Sequence, residues 1–310
     1  MIFPAIPESM RLERLKSPTA KIRIVIDSDT YNEIDDQFAI TYALLSPERL
    51  KIEAIYAAPF FNERSTNPGD GMEKSYQEIF KLLGKMNHST DGLVFRGSDR
   101  YLPDLENPIR SEAALDLVDR VMNSDEEDLL YVVAIAALTN IASAILIEPE
   151  IIKRIILVWL GGNPLHWRHT REFNLKQDIL ASRLIFDCGV PLVQIPCMGV
   201  ASHLLTTLTE IESFVAGRGA IGDYLAETFK ACSGDHFAFS RPIWDVSAVA
   251  WLVNETWVPT DIVHSPILTD QLTWSFDRSR HFIRNAFFVK RDPIFRDLFE
   301  KLERYAKQRV

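Results

Sequence analysis

Ten consecutive residues, Asp27 to Asp36, hold Asp27, Asp29, Glu33, Asp35 and Asp36 and no basic side chain. Carboxylates this close repel one another, and the repulsion grows as water is excluded, so a folded chain needs protons, basic partners or a cation there. A hard divalent cation answers the need most simply. Calcium takes roughly six to eight oxygens and accepts mixed carboxylate, carbonyl and water ligation. Helix capping is the competing reading, with Asn32 as N-cap and Glu33, Asp35 and Asp36 favoured by the positive helix end. It leaves Asp27 and Asp29 without a role. An EF-hand needs glycine at its sixth position and glutamate at its twelfth, and neither a frame from Asp27 nor one from Asp29 has them.

The elements that must position these acids are legible on either side. Ile22, Ile24, Val25 and Ile26 read as a buried strand, and Ile34, Phe38, Tyr42 and Leu45 recur at helical spacing. The acids therefore lie at a strand's carboxyl end and on the first turn of the next helix, where open α/β sheets bind ligands. Further strands are expected at 51–58, 93–95, 129–134, 155–160 and 191–196, with helices between them. That alternation predicts an α/β fold, a mostly parallel central sheet with a Rossmann-like core flanked by helices. Residues 207–232 read as a helical lid or rim over the site, with Gly217, Gly219 and Gly222 marking breaks. Strands at 262–268 and 282–289 and a helix at 293–307 close the chain.

The chain has 310 residues, 47% of them apolar, and a formal charge of −9. Its isoelectric point lies near 5.4. The acidic balance argues against nucleic acid or an anionic membrane as partner and favours a small molecule. Cys188, Cys197 and Cys232 form no metal-type pair or disulfide framework and read as buried apolar residues of a cytoplasmic protein. Residues 1–20 lack a signal-peptide core and read as an N-terminal arm, a surface extension or subunit contact, ahead of a single domain over 21–310. No stretch has the ~18 apolar residues of a membrane span.

Downstream of the acidic loop come Ile135-Ala136-Ala137-Leu138-Thr139-Asn140-Ile141-Ala142, then Gly161-Gly162, then Glu172-Phe173-Asn174 followed by Asp178, and finally Asp245. In this order, from Lys21 onward, the sequence resembles the inosine-uridine nucleoside hydrolase family. The family's opening Asp-x-Asp-Pro-Gly-x-Asp-Asp is lengthened here by two residues. The resemblance implies a nucleoside-hydrolase-like fold and a calcium ion held by Asp29, Asp36, Asp245 and the main-chain carbonyl of Ile135. In the family that calcium also binds two ribose hydroxyls and the attacking water. Asp35 would take the water's proton, and Asp27 would support the metal ligands or the substrate. Glu172, Asn174 and Asn62 would hold ribose hydroxyls, and either Asn163 or His166 would face the sugar. Asn140 reads as structural, holding its turn. The implied reaction is hydrolysis of the N-glycosidic bond of a ribonucleoside or related riboside through an oxocarbenium-like state, giving ribose and free base. A homo-oligomer, dimer or tetramer, is the family's expectation.

One departure falls on the chemistry. Many members carry His-Asp where this chain has Trp244-Asp245, and an indole donates a hydrogen bond but is no general acid. Trp244 is expected to stack on the leaving group or to fill the rim. His166, His169, His236 and Asp235 are the candidates for a replacement acid. Two other classes stay open at this point. A non-catalytic sugar or nucleoside binder would keep the calcium cradle without the chemistry. An aspartyl-phosphate phosphatase of the haloacid-dehalogenase type would use Asp27 as nucleophile with magnesium, although Thr or Val is expected there in place of Tyr31 and Asp35-Asp36 would have no role.

Overall fold

A computed structural model describes residues 3–308 of the chain. Eight strands form its central sheet: β1 (Ile22–Ser28), β2 (Leu50–Ala57), β3 (Val94–Arg96), β4 (Leu130–Ile135), β5 (Ile155–Leu160), β6 (Leu192–Ile195), β7 (Thr260–His264) and β8 (Phe282–Ala286). Their spatial order is β3-β2-β1-β4-β5-β6-β8-β7. Every neighbouring pair is parallel except the last, where β7 runs antiparallel to β8 along the edge. Helices on both faces explain the residue pattern. All six residues of β4 and of β5 are buried, the near-continuous apolar run of a strand covered on two sides. The expected strand at 262–268 is divided: β7 stops at His264, and Ile267–Leu268 pairs with Trp274–Ser275 in a separate ribbon.

Strand order reverses between β1 and β4, the switch point at which the loops leaving adjacent strands diverge and open a crevice. The loop after β1 carries the acidic stretch and enters the helix Asp35–Leu44, which is buried over nearly its whole surface. It packs against the helix Val246–Val253, also almost wholly buried. The two helices start beside each other, which brings Asp35, Asp36 and Asp245 together from opposite halves of the sequence.

Two expectations change at the periphery. The N-terminal segment lies against the domain itself: Leu15 is buried, and Arg11, on the helix Glu8–Arg14, donates to the Gly189 carbonyl. The 207–232 region forms the helices Leu208–Phe214 and Gly219–Ala231, with Gly217 and Gly219 in left-handed backbone at the break. Gly222 is inside the second helix, where a side chain would strike the Val215 carbonyl oxygen, so it serves close packing and not a break. Among the described residues no helix is long and apolar enough to cross a membrane.

At the carboxyl ends of β1, β2 and β3 a single amide binds the loops together. Asn140 donates to Asp27 Oδ1 at 2.8 Å and to the Ala57 carbonyl at 3.3 Å, and its Oδ1 accepts the Ser98 N–H at 2.7 Å. A Cβ at Gly97 would collide with both the Ala57 carbonyl oxygen and this amide. Overpacking of this kind costs about 1–3 kcal/mol. Gly97→Ala is therefore expected to lower the denaturant midpoint with an unchanged m-value, and a midpoint equal to wild type would contradict the role given to this contact.

Candidate active site

The crevice holds a cavity of about 240 Å³ lined by Asp29, Asp35, Asp36, Asp245, Ile135, Asn163, Glu172, Asn174 and Trp244, among others. The four aspartates are nearly sealed from solvent, between 1% and 4% exposed. Oxygens of Asp35, Asp36 and Asp245 lie within 4.8 Å of one another. At 4 Å, two unit charges repel by about 4 kcal/mol at an effective dielectric constant of about 20. Helix capping does not account for the acids: Ile34 is the N-cap of the Asp35–Leu44 helix, and no side chain caps it.

Local bonds divide the aspartates. Ser28 Oγ donates to Asp36 Oδ1 at 2.6 Å, whereas Asp29 Oδ2 is buried without a hydrogen-bond partner. Burial pushes all four carboxyls up. It raises Asp36 to about 7 against the opposing hydrogen bonds from Ser28 and Asp245. In Asp29 the charges of Asp36 and Asp35 add to burial; in Asp245 those of Asp35 and Asp36 do so. In Asp35, Glu33 follows burial as the next cause, and Arg241 offsets part of it. Arg241 is itself paired to Glu33 at 2.6 Å. The orphaned oxygen, the carboxylate cluster and the all-oxygen donor set fit a hard divalent cation.

The far wall comes from the turn after β5. Glu172 caps the short helix Phe173–Gln177: its Oε1 accepts the Asn174 N–H at 2.9 Å, and its Oε2 accepts those of Gly162 and Leu175 at 2.8 and 3.0 Å. Burial raises its carboxyl, and these three N–H groups pull it back. Asn174 donates to the Leu160 carbonyl at 3.0 Å. Asn163 is buried with Oδ1 unpartnered. Asp178 caps the next helix through Ala181 N–H and also accepts from Leu102 and Thr139, holding three loops together.

Not every expected residue reaches the cavity. His166 is exposed and does not line it, so of the two candidates only Asn163 lines the cavity. Asn62 lines a neighbouring cavity of about 580 Å³ and donates to Asn32 Oδ1 at 2.6 Å. The two inserted residues explain its position, because Tyr31 and Asn32 bulge toward the 58–67 loop, with the Arg64 guanidinium 4.5 Å from the Tyr31 ring centre. Asp27 lies behind the wall, tied to Asn140, and burial raises it to about 7. A phosphatase nucleophile there would have no access to substrate. His169, His236 and Asp235 are also outside the lining, and the Gly219–Ala231 helix borders the neighbouring cavity. The sequence reading missed Arg171, Cys197 and Met198, which do line the site. Cys197 lies two residues beyond the end of β6, so the strand-end rule alone would have marked it.

The profile of the inosine-uridine preferring nucleoside hydrolases matches residues 24–289. The chain belongs to this family. It is an N-glycosidase by class, built on an acidic cluster able to hold a metal. Among its relatives, the probable uridine nucleosidase 2 of Arabidopsis thaliana is 26% identical over 231 residues, 66% of this chain and 68% of that one. The pyrimidine-specific ribonucleoside hydrolase RihA of Enterobacter sp. strain 638 is 24% identical over 260 residues, covering 74% and 79%. In fold, the chain is similar to the purine-preferring ribonucleoside hydrolase from Gardnerella vaginalis, with a TM-score of 0.69 at 20% identity over 92% of this chain and 99% of that one.

The raised carboxyls set a pH dependence in this family member. Without a cation, Asp27 and Asp36 keep their protons up to about pH 7 in the folded state, but only to an ordinary carboxylate value when unfolded. Their contribution to stability is therefore full at low pH and lost as pH rises through 7, where folding must bury charge. A cation held by the cluster would compete with the proton on Asp36, not with that on Asp27, and so would bind more tightly as pH rises. The gap in Tm between calcium-loaded and EDTA-treated protein should widen by several degrees from pH 5 to pH 8. A constant gap in differential scanning fluorimetry would refute this account.

Proposed function

We propose that this enzyme hydrolyses the N-glycosidic bond of a ribonucleoside or related riboside in a calcium-dependent reaction, giving ribose and free base. The observation that carries the reading is the meeting of Asp35 with Asp36 and Asp245 in one cavity that also presents Asn163, Glu172 and Asn174. Asp29, Asp36, Asp245 and the Ile135 carbonyl would hold the calcium ion, which would supply Lewis-acid polarisation of the oxygens around it.

This chain's residues do the rest. Asp35, on the first helical turn, takes the proton from water as its oxygen joins C1′. The aspartates stabilise the positive charge that grows on the ribosyl ring while the C1′–N bond breaks, and burial strengthens that stabilisation. Glu172, its carboxylate held by three backbone N–H groups and by the Cys197 thiol, lines the cavity and binds a ribose hydroxyl. Asn163 Oδ1, buried and unpartnered, accepts from another hydroxyl. Asp27 acts at one remove, through Asn140, by fixing the loops that carry the cluster. The same reading carries the expectation of a homo-oligomer, a dimer or tetramer, acting in the cytoplasm.

Removal of a positioned general base typically costs about 10²–10⁴ in rate. Asp35→Ala is expected to lose ribose release by that factor with calcium still bound in isothermal titration calorimetry, whereas Asp36→Ala loses calcium binding as well. Unchanged release from Asp35→Ala would sink the mechanism. Ribose bound by wild type with no release from any riboside would favour a binding protein.

A further inference from the structure

Glu172 is held from three separate elements, and the third contact is a thiol. Gly162 N–H reaches Oε2 from the turn after β5 at 2.8 Å, and the N–H groups of Asn174 and Leu175 reach Oε1 and Oε2 from the start of the Phe173–Gln177 helix at 2.9 and 3.0 Å. From the loop after β6, the Cys197 thiol donates to the same carboxylate. The backbone closes this circuit, because Cys197 N–H donates to the Gly162 carbonyl at 2.9 Å while Gly162 N–H holds Glu172. Cys197 and Glu172 both line the cavity. Cys197 is 6% exposed, and burial, followed by the charge of Glu172, pushes its thiol well up. The sulfur therefore keeps its proton as a hydrogen-bond donor and is no nucleophile.

We propose that Cys197 is a positioning residue for sugar recognition, its thiol setting the Glu172 carboxylate in the orientation that receives a ribose hydroxyl. The inference rests on the reading of Glu172 as a ribose ligand given above. An ionised carboxylate offers roughly four acceptor sites, and here three backbone N–H groups and one thiol meet them. The N–H groups belong to a turn and a helix start and cannot yield without moving the backbone. The thiol is the weakest donor of the four, so an incoming hydroxyl, a stronger donor, takes over the acceptor site it occupies. Cys197 is also the contact that ties Glu172 to the end of β6, and without it the carboxylate is fixed from one side alone. Preorganisation of this kind acts on binding: the hydroxyl meets an acceptor already aimed, and less order is lost when the sugar enters.

The variants Cys197→Ala and Cys197→Ser separate donation from packing. With calcium-loaded full-length enzyme and the most rapidly hydrolysed of uridine, cytidine, inosine and guanosine, Cys197→Ala is expected to lower kcat/KM for ribose release by about three- to tenfold, the worth of one net hydrogen bond, with most of the loss in KM. Cys197→Ser keeps a donor and should recover at least half of that loss. Calcium affinity in isothermal titration calorimetry should be unchanged in both, which also shows that each variant folds. Wild-type kinetics in Cys197→Ala would overturn the inference. So would a Cys197→Ser protein as impaired as Cys197→Ala, since filling space would then be the residue's role, and so would a loss of calcium affinity equal to the loss in kcat/KM. If wild type releases ribose from none of these nucleosides, the hydrolase reading falls alone, and the affinity of calcium-loaded protein for free ribose carries the same comparison, about three- to tenfold weaker in Cys197→Ala and recovered in Cys197→Ser. Neither ribose release nor ribose binding by wild type would overturn both.

Discussion

Four carboxylates, Asp29, Asp35, Asp36 and Asp245, are buried in one crevice whose lining holds a single basic side chain, Arg171, and the architecture around them answers that cost. Arg241, whose charge offsets part of the rise at Asp35, is ion-paired to Glu33, and Ser28 contributes a single hydroxyl to Asp36. Burial of like charges at this density is tolerated only if protons or a cation neutralise them. Protons would leave the site inert toward a cationic transition state; a divalent cation neutralises the cluster and keeps the carboxylates ionised. The same burial that makes the cluster costly strengthens its field within the cavity.

The fold bears that cost by rigidity. β1, β4 and the Val246–Val253 helix are buried, and the clustered aspartates and Ile135 sit at or beside their ends, where backbone position is set by packing. Two polar hubs fix the intervening loops. Asn140 joins the ends of three strands through Asp27, Ala57 and Ser98, and Asp178 joins the turn after β5 to the loops at Leu102 and Thr139. Buried polar groups with satisfied hydrogen bonds specify one geometry, which suits a site whose carboxylates would otherwise spread apart.

The sheet and the acidic cluster were legible in the sequence because both follow from local rules: apolar runs of strand length, helical spacing after Ile34, and acids at a strand's carboxyl end. Asp245 could be joined to the cluster only through a resemblance in motif order, since no local signal says that the Val246–Val253 helix begins beside Asp36. Loops were the weak point. Counting along the chain favoured His166 as readily as Asn163, but the turn at Pro164 carries His166 into solvent while Asn163 is held inward by its N–H bond to Thr170 Oγ1 at 2.9 Å. Asn62 was displaced by a bulge whose length was visible but whose direction was not. Glu172 and Asn174 were legible by motif, although the capping of a five-residue helix by Glu172 was not.

Trp244-Asp245 shows why a site of this kind can change one half without the other. Asp245 contributes its carboxylate to the cluster, and its position is fixed by the helix it precedes and by Asp36 across from it. Trp244, one residue earlier, is half-buried and packs against the same core while lining the cavity. Adjacent residues at a helix start point in different directions, so one can stay with the metal and sugar while the other faces the departing base. The demands on the two are also separable in chemistry. Stabilising a ribosyl cation depends on fixed negative charge and does not vary with the base, whereas assisting departure depends on whether that base needs a proton. Under the proposed function, a change at position 244 is expected to alter which bases leave without loosening the carboxylate cluster.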